Sequence, residues 1–210
     1  MSPEPIDLLR EGLDGRLGQQ IGFVAEIGRL RTVLRTALVD DGRTRENDAE
    51  HSWHVALMAT TLSEYADRPV DSSRVIRMLL VHDLVEIDAG DAYFYDEAAN
   101  EAKPELERAA AERIFGLLPA DQATDLRAAW EEFEVCATPE ARFAKSMDRL
   151  MPLLHNHYTQ GRSWLEHGVS REQVVTRFLG DMEHASPAFY QLAVSLIDDA
   201  VAKGWLARSG

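Results

Sequence analysis

The stretch LLVHDLVEIDAGD, Leu79 to Asp91, decides how the rest of the chain is read. Leu79, Leu80 and Val81 run as a buried helical lead into His82 and Asp83, and Glu86, Asp88, Gly90 and Asp91 follow. An imidazole and four carboxylates are out of place at a buried helix end, because a charge taken from water without a partner is costly. A divalent cation held among them offsets that cost; the plainer alternative is a solvated acidic loop. On one continuous helix His82 and Glu86 share a face, with Asp83 about 100° round from His82. Imidazole and carboxylate together suit the divalent metals from Mn to Zn.

Working outward, two further segments carry metal-competent residues beside apolar faces. EHSWH holds Glu50, His51 and His54, and KSMDRLMPLLHNH holds Lys145, Asp148, Arg149, His155 and His157. Taken singly, each has an ordinary explanation. Glu50 completes a capping box with Asn47, Asp148 can pair with Lys145 or Arg149 on its own helix, and an isolated His is most often a hydrogen-bonding partner. The order His, then His-Asp, then Asp, on three separate helices, is what points to a metal centre.

Helical periodicity dominates the rest. Ile21, Val24, Ile27, Leu30, Leu34 and Leu38 form one apolar stripe, predicting a long helix that stops at the polar VDDGRTREND with its Asp41-Gly42 turn. Asn47 caps the next helix, and Asp71 caps one running through SRVIRMLLVHDLVE. DAGDAYFYDEAANEAKP reads as a loop whose Tyr93, Phe94 and Tyr95 either stack on a base or form a buried hinge. Thr138-Pro139 opens a helix through Asp148, Gly161 and Gly168 bracket a connection, and REQVVTRFLGDM and PAFYQLAVSLIDDAVAKGWLA close the chain as helices. With no strand alternation and no repeat, the expected fold is all-α, about seven to nine helices. At 210 residues and 45% apolar, one domain over 1–210 is expected, its core at about 20–160 with helices at 170–207 packed on it.

The net charge of -14 opposes nucleic-acid backbone and anionic membrane alike. A phosphorylated ligand therefore needs a local positive site, and the sequence shows no obvious surplus of Lys and Arg for a triphosphate. No segment reaches the length of a membrane span, no signal peptide is apparent, and the one cysteine, Cys136, suits a reducing cytoplasm.

RLRTVLRTALV, RENDAEHSWHVALMA, LLVHDLVEIDAGD and FAKSMDRLMPLL together resemble the HD-domain superfamily of metal-dependent phosphohydrolases, in its 5′-deoxynucleotidase-like branch. The resemblance implies that His51, His82, Asp83 and Asp148 bind one divalent metal ion, whether Mn, Co, Fe, Mg, Zn or Ni. It implies that Arg35 holds the substrate phosphate, with Lys145 a weaker candidate, and that Glu86 and Asp91 line the reaction site. Of these two, Glu86 is the first choice and Asp91 the second for relaying a proton during attack by a metal-activated water. It also implies a nucleoside 5′-monophosphate substrate and a homodimer. Thr36 stands where that branch carries a Trp that helps to reject ribonucleotides, and LHNHYTQGRSWLEHGVS does not match the branch. Two alternatives stay open: hydrolysis of another phosphorylated small molecule, and a non-catalytic, metal-stabilised nucleotide-binding module.

Overall fold

The structure is a computed structural model that describes residues 14–39, 41–91, 97–180 and 182–208, with the backbone alone for 97–102. Helices make up most of it, as expected, joined by one two-stranded antiparallel sheet.

That sheet corrects the reading of the N-terminal stripe. Helix α1 (Gly15–Ile27) stops well short of Leu38. A tight 3-10 turn, Gly28–Thr32, leads into strand β1 (Leu34–Leu38), which pairs with β2 (Arg45–Asn47). Gly28, Thr32 and Val33 are weak helix formers placed together, and they end the helix. The turn at Asp41 is where the sequence puts it, but it joins strands. Asp41 Oδ1 accepts from the backbone N–H groups of Arg43 at 2.7 Å and Thr44 at 2.8 Å. No alternation marks β1 because it lacks a fully buried face; its residues range from exposed to half-buried.

Helix α2 (Asp48–Leu62) begins where expected, with Asn47 Oδ1 accepting from the Glu50 N–H at 3.0 Å. Helix α3 (Ser72–Val81) is capped by Asp71, which accepts from Ser73 and Arg74. It ends at Val81 rather than continuing to Glu86, and a four-residue helix, α4 (Glu86–Ala89), follows. Helix α5 (Glu97–Phe115) begins ahead of Pro104, where the sequence predicts loop; Tyr93, Phe94 and Tyr95 lie outside the described residues. Next come α6 (Ala120–Val135) and α7 (Pro139–Tyr158), the latter with Thr138 as N-cap and Pro139 in its first turn.

Helices α2, α3 and α7 pack on one another and α6 closes against α3 and α7. Val55, Met78, Leu79, Phe133, Phe143, Met147 and Leu150 fill the space between them, each at most 1% exposed. Burial on that scale contributes roughly 1.5–3 kcal/mol per large apolar side chain before conformational entropy is subtracted. The three polar sets thus stand on mutually packed helices.

The C-terminal segment is more broken than predicted. Helix α8 (Arg162–His167) sits between Gly161 and Gly168, and α9 (Arg171–Val174) runs into a π-helical turn, Val175–Leu179, in place of one continuous helix. That turn ends at Gly180, where a Cβ would come within 2.8 Å of Arg149 Nη1. Helices α10 (Met182–Ala185) and α11 (Pro187–Ala202) pack back on α7. Gly161, at φ +70°, is required twice over: its backbone is left-handed, and a Cβ would meet Trp205 Cβ at 2.3 Å.

Candidate metal centre and adjoining cavity

The end of α3 sets the geometry. After Val81 the backbone tightens: the Leu84 N–H donates to Val81 O, Glu86 to Asp83 O and Ile87 to Leu84 O, each three residues back. In this geometry side chains three apart eclipse and those four apart diverge. Asp83 and Glu86 therefore face one another, while His82 and Glu86 do not share the face that a continuous helix gives them. Carboxylate oxygens of Asp48, Asp83 and Glu86 gather within 4.8 Å, as do ring nitrogens of His51 and His82 with an Asp148 oxygen.

His51, His82, Asp83 and Asp148 are brought together. His51 Nε2 lies 3.1 Å from Asp148 Oδ1, and His82 Nε2 lies 3.1 Å from Asp83 Oδ1 and 3.8 Å from Asp148 Oδ1. The other nitrogen of His82, Nδ1, donates to Leu79 O at 2.9 Å. That bond leaves Nε2 as the nitrogen able to ligate a metal. It is buried and has no hydrogen-bond partner among the described residues. Two ring nitrogens and two carboxylates with an orphaned buried donor atom fit a divalent metal in an open coordination shell. Glu50 is exposed on the outside of α2, as its capping role predicts.

Arg35 reaches in from β1. Its Nη1 donates to Asp83 Oδ2 at 2.8 Å and to Asp48 Oδ1 at 3.3 Å, and its Nε lies 3.6 Å from Glu46 Oε2. Asp88 points away and pairs with Arg113 on α5. Lys145 is half-committed, 3.3 Å from Glu134 and 4.0 Å above the Phe133 ring.

The electrostatics follow from burial and crowding. Burial works against ionisation of Asp148, yet the adjoining His51 and His82 rings hold its carboxyl well below the usual carboxylate range. Burial and the nearby Arg35 disfavour a protonated His51, but contacts with Asp148 and Glu46 raise it to about 9. Burial, reinforced by Asp83, pushes Glu86 up to about 7. Burial together with Asp83 and Glu86 drives Asp48 up to about 10, so it keeps its proton at neutral pH. Asp91 is also raised, first by burial.

A cavity of about 400 Å³ opens beside these groups. Arg35, Thr36, His82, Asp83, Glu86, Asp91 and Asp148 form its near wall. One face of α7 runs along it, presenting Lys145, Asp148, Arg149, Pro152 and Asn156 at helical spacing. Ser163, Trp164, Arg177 and Phe178 make the far wall, so the stretch that departs from the deoxynucleotidase pattern is part of the pocket.

Sequence reasoning misses several of these residues. Lys103 lies in the stretch predicted as loop, yet it reaches back from α5 to donate to Glu86 Oε1 at 3.0 Å. Asp48 looks like an ordinary acid in a first helical turn but is fully buried. Glu46, five residues ahead of His51, is 2% exposed. A buried carboxylate leaves no mark in the sequence until its cation is known. The cavity also corrects the charge inventory, since Lys103, Arg149 and Arg177 line it besides Arg35 and Lys145. Arg149 makes no ion pair or hydrogen bond among the described residues.

Comparison with known proteins adds an independent line. A family model described as HD domain matches residues 27–190. A 5′-deoxynucleotidase HDDC2 from Dictyostelium discoideum is 28% identical over 190 residues, 87% of this chain and 99% of that protein. The Homo sapiens protein of the same name is 34% identical over 133 residues, 63% of this chain and 64% of its own length. Among solved structures, a predicted metal-dependent phosphohydrolase from Magnetospirillum magnetotacticum MS-1 is 53% identical and superposes with a TM-score of 0.87, covering 91% of this chain and 96% of that one.

Proposed function

The chain belongs to the HD domain family, and from that premise we propose that it removes phosphate from nucleoside 5′-monophosphates, deoxynucleotides among them, using one divalent metal ion. The observation that carries this reading is the convergence of His51, His82, Asp83 and Asp148, the last three lining a cavity that also holds Arg35 and Glu86. The names of the HDDC2 relatives support the substrate class.

His51, His82, Asp83 and Asp148 would hold the metal. Bound there, such an ion supplies Lewis acidity and an acidified water. The chain's own groups do the rest. Arg35 lies at the cavity wall with its fork toward the ligand carboxylates, and it orients the phosphate by charge-assisted hydrogen bonds. Glu86, raised to about 7, populates both protonation states near neutrality and suits proton relay. Lys103 fixes Glu86 Oε1, and Oε2 has no hydrogen-bond partner among the described residues. Asp91, which lines the same cavity, is the second acid–base group, and Lys145 supports the phosphate more weakly because Glu134 shares its charge.

Arg149, without an ion pair or hydrogen bond among the described residues, favours a second reading, in which the ester carries more negative charge than a monophosphate. Phosphate release decides between them. The metal-stripped protein, reloaded with Mn, Co, Mg, Zn or Ni, is offered ribo- and deoxyribonucleoside 5′-mono-, di- and triphosphates beside Asp83→Ala. Metal-dependent release from the monophosphates that vanishes in Asp83→Ala is the expected result. Binding of nucleotide and metal without release from any ester overturns the reading in favour of a binding module.

A further inference from the structure

We infer that Glu46 is a positioning residue for the metal centre: it fixes His51 in the tautomer and orientation that ligation requires. This rests on the reading of His51 as a ligand. Glu46 sits on β2 and is 2% exposed, and His51, one turn into α2, is fully buried. Glu46 Oε2 lies 3.2 Å from His51 Nδ1, on the far side of the ring from the Nε2 that faces Asp148. Both atoms are buried, and neither meets hydrogen-bond geometry with any partner among the described residues, each other included. Buried polar atoms are almost always paired, so these two are each other's available partner.

An imidazole that ligates through Nε2 carries its hydrogen on Nδ1. That hydrogen needs an acceptor, and a carboxylate acceptor also makes the ligating nitrogen more basic. His82 meets the same need with the Leu79 carbonyl. The two histidines are therefore oriented by unlike partners, one neutral and one charged. Arg35 Nε at 3.6 Å and His155 Nδ1 at 3.8 Å converge on the same Glu46 oxygen and hold it in place. Glu46 does not line the cavity, so it acts through His51 and not on substrate. The hairpin thus delivers two side chains: Arg35 to the cavity wall and Glu46 behind a ligand.

The test uses the full chain with Co²⁺ as probe, titrated against a competing chelator, and ¹⁵N NMR of the His51 ring in the metal-free protein held above pH 9, where the ring is neutral and has a tautomer to read. Glu46→Gln keeps the shape and removes the charge. Its Co²⁺ affinity is expected to fall about 10- to 100-fold, and its His51 ring to move from Nδ1–H toward a mixture of tautomers. Glu46→Asp keeps the charge but shortens the reach, and falls between Glu46→Gln and the wild type in both readouts. If Glu46→Gln does not fold, Glu46→Asp decides alone: weakened affinity with a shifted ring supports the inference, and wild-type values overturn it. Wild-type affinity and tautomer in a folded Glu46→Gln overturn it too, while a weakened His51→Ala leaves the ligand reading intact. Wild-type Co²⁺ affinity in His51→Ala brings down both.

Discussion

The Nη1 of Arg35 lies 2.8 Å from Oδ2 of Asp83, which ties a surface hairpin to the end of a buried helix 48 residues later. The same guanidinium serves Asp48 and Glu46 and is itself only 14% exposed. One buried cation therefore balances the carboxylates of Asp83 and Glu46. Removing it leaves uncompensated charge, which typically costs about 3–5 kcal/mol. Arg35→Met is expected to lose stability on that scale in chelator, read by urea unfolding, and to recover much of it when Mn²⁺ is added. Its kcat/KM for a deoxynucleoside monophosphate should fall roughly 10- to 100-fold, the weight of one charge-assisted hydrogen bond. Equal losses of stability with and without Mn²⁺ would count against a shared role for Arg35 and the metal.

Glu86 and Lys103 form the second pair to separate. Glu86→Gln removes the proposed proton relay and should lower kcat by about 10²- to 10⁴-fold with little change in Co²⁺ affinity, because Glu86 is outside the proposed ligand set. Lys103→Met, which strips Glu86 of its 3.0 Å partner, should lower kcat less, and Lys103→Arg should restore part of it. Steady-state kinetics beside Co²⁺ titration separates the two effects. Loss of metal binding in Glu86→Gln would make Glu86 a ligand instead.

Asp41 supplies a test of the hairpin that does not touch the centre. Hydrogen bonds from the Thr44 side chain and backbone, then from the Arg43 backbone, lower its carboxyl to about 2. A carboxylate with a depressed folded value stabilises fully above its unfolded value near 4 and loses that contribution as pH falls toward the folded value. A carboxyl-detected NMR titration should show Asp41 ionising near 2. In Asp41→Asn, the acid-induced weakening of the turn between about pH 4 and 2 should disappear. Titration of Asp41 near 4 would mean that the turn is not held as described.

Gly161→Ala tests how the C-terminal segment is fixed. The new Cβ would sit 2.3 Å from Trp205 Cβ on a backbone at φ +70°. Overpacking of this kind costs about 1–3 kcal/mol, which is roughly 2–4 °C of Tm per kcal/mol in a chain of this size. A thermal melt with unchanged Tm would refute the close approach.

How much of this is legible in the sequence depends on the physics behind each element. Asn47, Asp71 and Thr138 are visible because a cap is a local event, decided within four residues. The stripe from Ile21 to Leu38 misleads because periodicity reports only that apolar side chains recur. It does not show that Gly28 to Val33 break the helix, or that β1 buries neither face fully. His82 and Glu86 look like neighbours on one face until the backbone tightens after Val81, a change of about 20° per residue that no residue type announces. Lys103 and Asp48 stay hidden because their significance lies in partners distant along the chain.

Ser163, Trp164, Arg177 and Phe178, the far wall of the cavity, all follow Asp148, the last of the proposed ligands in chain order. That wall is therefore written after the proposed ligands, while Thr36, Lys103 and Lys145 line the same cavity from earlier in the chain. Exchanging Ser163, Trp164, Arg177 and Phe178 for the residues of a relative should shift the preference among esters while the metal dependence stays the same.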